Sequence, residues 1–157
     1  MQRRRILVIL VSASTTGCVP LKVARLPKPT PEVSAEVLIF REWELSASGI
    51  RAQVGVDGKT YCSLGTSQYS TFNLSAGDHE FFVRSAGGEP SVLKVSLGAG
   101  TRTCMLASPN PTNYGKALTP LGIAYAFGQT FLLTGATCPS AEVLPSLEAV
   151  SVEYESQ

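Results

Sequence analysis

The sequence predicts an all-β fold, a single small antiparallel β-sandwich of about seven strands, and three observations carry that expectation. Charged residues make up only 16% of the chain, while 14 Gly, 10 Pro and many Ser, Thr and Val suit short strands and tight turns rather than long helices. Turn residues recur at intervals of roughly eight to twelve positions through residues 36–107, the spacing of sandwich strands. Between those turns apolar and polar side chains alternate, as strands with one face on a core require. A chain of 157 residues has room for one such domain.

Ahead of the domain, residues 1–18 read MQRRRILVILVSASTTGC. Arg3, Arg4 and Arg5 hold to the cytoplasmic side, the apolar run Ile6–Val11 enters the translocon or bilayer, and small side chains then fit a peptidase cleft. The run is far shorter than the roughly twenty apolar residues of a permanent span, so the order is that of a signal peptide over residues 1–17. Thr15-Thr16-Gly17-Cys18 resembles a lipobox, the motif after which bacterial lipoproteins are cut so that the cysteine becomes lipidated. Lipoboxes usually carry Leu where this chain has Thr15. The resemblance implies lipidation at Cys18 and, through it, a membrane as partner; the alternative is an ordinary secretory signal cut near Ser14, leaving Cys18 a plain thiol. By the same resemblance, Val19 stands where Asp favours inner-membrane retention, which points to the outer membrane facing the periplasm. Residues 18–35, with Pro20, Pro27, Pro29 and Pro31, read as a semi-extended tether, and residues 36–157 as the domain.

The first strand is expected from Glu36 to near Glu44, through Val37, Ile39, Phe40 and Trp43. Ile50 to Val56 and Lys59 to Leu64 flank Asp57-Gly58, a pair that tolerates the positive φ angles of a tight hairpin. Tyr69 to Leu74 and His79 to Arg84, joined by Ala76-Gly77-Asp78, predict a second hairpin. Ser91 to Leu97 and Thr101 to Ala107, joined through Gly98 and Gly100, predict a third. Pro109 to Pro120 reads as a loop. Residues 117–136 carry no charge, yet Pro120, Gly122, Gly128, Gln129 and Gly135 argue against a membrane helix. A short helix or turn over Leu121–Phe127 and a strand over Gln129–Leu133 are expected instead, covering an open end of the sandwich, with a last strand over Leu147–Tyr154.

Val37-Leu38-Ile39-Phe40-Arg41, the Val56-Asp57-Gly58-Lys59 hairpin, Leu64 before a polar turn, and Ala76-Gly77-Asp78-His79 before a strand together resemble a family of small bacterial lipoproteins. That family's domain, of unknown function, is similar to transthyretin-like and carboxypeptidase-regulatory-like β-sandwiches. The resemblance runs from about Val37 to Ala107. Where the family has Pro-Gly and a Tyr pair, this chain has Ala76-Gly77 and Thr103-Cys104.

Residues able to carry chemistry are few. Setting aside Arg3, Arg4 and Arg5, 10 Lys and Arg stand against 12 Asp and Glu, without the clustered basic face a nucleic-acid partner needs. Beyond Cys18, Cys62, Cys104 and Cys138 are disulfide candidates in an exported chain; Cys62–Cys104 is favoured over Cys104–Cys138 because both lie on predicted strands. Neither a close Cys pair nor a second His accompanies them, so no metal is expected. His79, the single histidine, adjoins Asp78, but neighbours in a strand face opposite ways, and no G-x-S-x-G elbow is present. Glu42 and Glu44 share a strand face, as solvated edge charges do, and the Gly-rich turns lack any phosphate-loop pattern, so no cofactor is expected. Trp43, Tyr69, Phe72, Phe81 and Phe82 are expected in the core rather than in a binding patch. The expectation is a non-catalytic, membrane-anchored envelope protein that offers a sheet edge or loop to an envelope protein; the alternative is a binder of a small ligand or glycan in a cleft beside residues 117–136.

Overall fold

The computed structural model describes residues 23–113 and 128–156, which form an all-β sandwich of two sheets. Nine strands occur among those residues: β1 (Ser34–Arg41), β2 (Ala52–Val56), β3 (Lys59–Leu64), β4 (Gln68–Ser75), β5 (Gly77–Arg84), β6 (Ser91–Leu97), β7 (Arg102–Pro109), β8 (Phe131–Ala136) and β9 (Glu148–Ala149). One sheet runs β8-β7-β1-β4-β9 and the other β3-β2-β5-β6. All pairings in the second sheet are antiparallel, but β1 pairs with β7, and β4 with β9, in parallel. The sandwich is therefore mixed rather than purely antiparallel.

The β2–β3 hairpin forms as its turn chemistry predicts, with positive φ at both Asp57 and Gly58. The other two expected hairpins do not form. β4 and β5 lie in different sheets, as do β6 and β7, so Ala76-Gly77 and Gly98–Gly100 carry the chain across the sandwich instead of folding it back. The hairpins that occur besides β2–β3 are β5–β6 and β7–β8. Locally an arch and a hairpin look alike: both ask for a permissive turn between alternating segments, and only the distant partner decides.

Val37 and Ile39 of β1 and Phe72 of β4 face Val54 of β2 and Phe81 and Val83 of β5 across the inner core. The opposite face of the first sheet is covered as well. There Leu38, Phe40 and Cys104 form a second cluster with Tyr69 and Leu106, roofed by Cys138, Leu144 and Leu147. Residues 137–147 thus cross the outside of the sheet as a strap, and a Cys104–Cys138 disulfide fastens it at its start. Burial on both faces explains why β1 reads as an unbroken apolar run.

The stretch expected as tether is partly built into the domain. Leu26 is only 1% exposed: it pairs in parallel with Tyr154, bonded on both sides to the tail through Glu153 O and Glu155 N, while Ala24 N–H donates to Thr60 O of β3. The tail beyond β9 does not stay a strand of one sheet to Tyr154, because at this point its partner changes from β4 to residue 26. Together these segments close one side of the sandwich. On the other side Leu133 N–H donates to Ser91 Oγ, joining β8 to the start of β6.

Candidate functional site

The strand directions give the sandwich two distinct ends. The near end gathers the N-terminal segment 23–33, the Asp57-Gly58 turn, the β4–β5 and β6–β7 crossings and the C-terminal residues. The far end gathers the β1–β2, β3–β4 and β5–β6 connections and the chain after β7.

At the near end His79 opens β5. Its Nδ1 lies 2.8 Å from Asp57 Oδ2 and its Nε2 2.9 Å from Ser75 O, so its carboxylate partner is Asp57 of the hairpin turn, not neighbouring Asp78. Both partners accept only, and a neutral imidazole has a single N–H, so the geometry suits the imidazolium. Partial burial pulls the His79 pKa down, but the hydrogen bonds to Asp57 and Ser75 and the charges of Asp57 and Asp78 outweigh it and hold the group above its ordinary value. Asp57 is further fixed by accepting from Glu80 N–H at 3.0 Å. The result is a clip between a turn of one sheet and a strand end of the other. With both ring nitrogens engaged, His79 has none left to take a proton from a nucleophile.

At the far end the informative residue is Arg41. It follows Val37 and Ile39 on the inward face of β1 and is 1% exposed. Its Nη1 donates to Ile50 O (2.6 Å) and Leu64 O (3.3 Å), its Nη2 to Ala47 O (2.6 Å), and its guanidinium lies 4.6 Å from the centre of the Phe131 ring. One cation thereby ties the β1–β2 loop and the end of β3 to β8. Arg41 is not among the residues singled out from the sequence, although alternation from Val37 through Ile39 already places it on the inward face.

Because the chain leaves the sheet at Arg41 and enters a 3-10 turn over Leu45–Ala47, Glu42, Trp43 and Glu44 lie in the loop rather than on a strand. Trp43 is 67% exposed and Leu45 76%, which corrects the expectation of Trp43 in the core. Phe72, Phe81 and Phe82 are buried and Tyr69 packs on the outer cluster. Phe82 is covered although it points away from the inner core: its ring lies over Gly55 and under the Arg84 guanidinium, 5.5 Å from the ring centre.

The cysteines pair as Cys104–Cys138, not Cys62–Cys104. Cys62 faces the inner core and Cys104 the outer cluster, so the sheet itself separates them. Cys62 is a buried thiol that burial pushes up to about 11, far from the thiolate a reactive cysteine needs. Among the described residues no three of His, Cys, Asp and Glu lie together as metal ligands would, and no helix is long and apolar enough to cross a membrane. Comparison with known proteins finds no family model that matches the chain and no curated protein similar to it.

Cys18, the signal segment 1–17 and the turn expected over Leu121–Phe127 lie outside the described residues, and with that turn most of the cleft expected beside residues 117–136. A groove of about 440 Å³ does occur at the near end, lined by Lys28, Pro29, Pro31, Asn73 and Tyr154, where Asn73 N–H donates to the Tyr154 hydroxyl at 2.8 Å.

Proposed function

We propose that the chain is a lipid-anchored protein of the bacterial cell envelope, held at the outer membrane through Cys18 and facing the periplasm, and that its sandwich is a non-catalytic interaction or structural module. The observation that carries this reading is the order of residues 1–18: arginines, a short apolar run, then Thr15-Thr16-Gly17-Cys18. Acyl chains contribute about 0.8 kcal/mol per buried methylene, so several on one cysteine give an anchor that does not let go. The resemblance of residues 37–107 to the small-lipoprotein sandwich family points the same way. Two further features favour binding over catalysis: His79 is committed to holding two turns together, and the Cys62 thiol is buried.

Intact mass of the protein from membranes, beside a Cys18→Ala form, tests the anchor. The expected result is an acyl-sized increment and membrane recovery for the first and neither for the second; an unmodified, soluble chain would make it a free secreted domain. A pulldown of the lipidated protein returning the same envelope component repeatedly supports the interaction role, and consistent failure counts against it.

The near-end groove favours a second reading, a sandwich that binds a small ligand or glycan, since its walls combine proline and tyrosine carbon with Lys28. A thermal-shift screen of envelope glycans and metabolites decides it: a raised melting temperature abolished by Tyr154→Ala supports the second reading, and no shift at high ligand excess removes it.

A further inference from the structure

We infer that the near end of the sandwich, the surface bearing Val23, Pro27, Lys28 and Val33, rests on the bilayer to which Cys18 anchors the chain, so that the Trp43–Leu45 loop is held at the opposite pole facing the periplasm. The inference rests on the lipid-anchor reading and adds to it which surface meets the lipid and which is turned away.

The first argument is length. Ala24 is fixed to β3 through Thr60 O and Leu26 is sunk into the core, so the covalent path from Cys18 to the first docked residue is no longer than Cys18 to Ala24. Those six steps reach at most about 21 Å when fully extended, and a residue that carries acyl chains sits at the level of the headgroups. Had the whole stretch 18–35 been free, its reach would have been near three times greater and the domain able to tumble. The docking of residues 24 and 26 shortens the leash to less than the length of the domain it holds.

The second argument is where the leash arrives. From Ala24 the segment passes across the near end to β1, and it presents Val23 and Val33, 38% and 46% exposed, with Pro27 and Pro31. Lys28 lies between them, a long stem that reaches headgroups while its carbon lies along apolar surface. Glu32, Asp57, Asp78, Glu153 and Glu155 stand at the same end against Arg25, Lys28, Lys59 and His79, five acids to four bases, so the charge there is only slightly negative. A mixed bilayer, not a strongly anionic one, is the surface this end fits. β1 separates the two poles by eight residues, about 26 Å, placing Trp43 well outside a bilayer that Val33 touches.

The chain carries its own reporter, because Trp43 is its single tryptophan. The lipidated full-length protein is reconstituted in vesicles of phosphatidylethanolamine and phosphatidylglycerol, with or without nitroxide near the headgroups of part of the lipid, and tryptophan emission is read. Two more forms carry Trp43→Phe with Val33→Trp or with Glu32→Trp, both exposed positions, so that failure of one to fold leaves the other. Emission of native Trp43 is expected to be unchanged by nitroxide and that of the near-end variants to fall at least twofold. Equal quenching at both poles, quenching of Trp43 alone, or no quenching at either, in protein that floats with the vesicles, would overturn the orientation while leaving the anchor intact. Failure to float, matched by the Cys18→Ala form, would remove the anchor and with it this inference.

Discussion

Replacing Cys104 and Cys138 together by alanine removes the one covalent tie in the described fold and allows a magnitude to be worked in advance. The bridge closes a loop of 34 residues. The loss of unfolded-chain entropy on closing a loop of that length is about 12.6 cal/mol/K, or about 3.8 kcal/mol at 25 °C. With a urea slope near 2 kcal/mol/M, the unfolding midpoint should fall by about 2 M, and reduced native protein should fall by a similar amount. The strap offers a second readout. Leu38, Phe40 and Leu106 are roofed by residues beyond Cys138, so amides of the strap and of the tail it leads into, such as those of Leu147, Glu148 and Val150, should exchange faster than the β1–β4 ladder once the bridge is gone. A midpoint shift below about 0.5 M at unchanged slope, with the strap still protected, would refute the view that the disulfide holds the strap down.

Three further substitutions probe other joints. Gly55→Ala puts a Cβ against the Phe82 ring and the Lys59 carbonyl, one of them backbone, and should cost about 2 to 3 kcal/mol in chemical unfolding; a near-neutral result would mean that Phe82 does not lie over Gly55. Arg41→Met keeps the bulk but strips the donors from Ala47 O, Ile50 O and Leu64 O, for an expected loss of about 3 kcal/mol and loosened far-end loops by hydrogen exchange. The His79 clip predicts a pH dependence of definite sign. Its folded pKa is raised, so the stability it adds is fully present below pH 6.5 and is lost as pH rises through the raised value. His79→Gln should flatten that fall, with a difference of about 1 kcal/mol at pH 5 because Asp57 is half exposed; identical pH profiles for the two proteins would remove the clip.

Features of the fold that depend on neighbours in sequence were legible, and those that depend on distant partners were not. Asp57-Gly58 specifies its hairpin because both residues accept positive φ, a requirement met within four residues. Ala76-Gly77 and Gly98–Gly100 permit an arch and a hairpin equally, and the choice is made by which sheet β4 and β7 join. The cysteine partner fell to the same cause. The expected strands made Cys62 and Cys104 possible neighbours, but Cys62 pairs with Val54 inside its own hairpin, whereas Cys104 is set on the outer face of the other sheet by pairing with Leu38, 66 residues away. Trp43 was misplaced because apolarity alone extended β1 past Arg41, when the turn of an inward-facing arginine onto the carbonyls of Ala47 and Ile50 in the following loop and of Leu64 at the end of β3 ends the strand there. Leu26, in a Pro-rich stretch, is the residue whose burial most changes the functional reading, and it is invisible locally because its partners are Glu153 and Glu155, more than 120 residues away, while Ala24 beside it bonds to Thr60.

The sheet edges bear on how such a domain meets a partner. An open strand edge invites another chain to pair with it, so its treatment shows which surfaces are offered and which are guarded. The upper part of β3 is bonded through Arg51 to Ser63, and its lower part through Thr60 to Ala24; the β4 edge is taken by β9 and the tail; and β8 leans on β6 through Ser91 and, by way of Gln129, Pro90. β6 is the most open edge that remains, and it carries Lys94 at its centre, paired to Glu80 at 3.6 Å. A lysine there opposes edge-to-edge pairing, since a second copy laid antiparallel about that point would bring like charges together. On the interaction reading proposed above, strand addition is therefore the less suited mode of recognition. The surface left is the far-end loop set, where Trp43 and Leu45 are exposed on a loop whose base Arg41 makes rigid, and a rigid base under exposed apolar side chains is the arrangement that loses least entropy on binding.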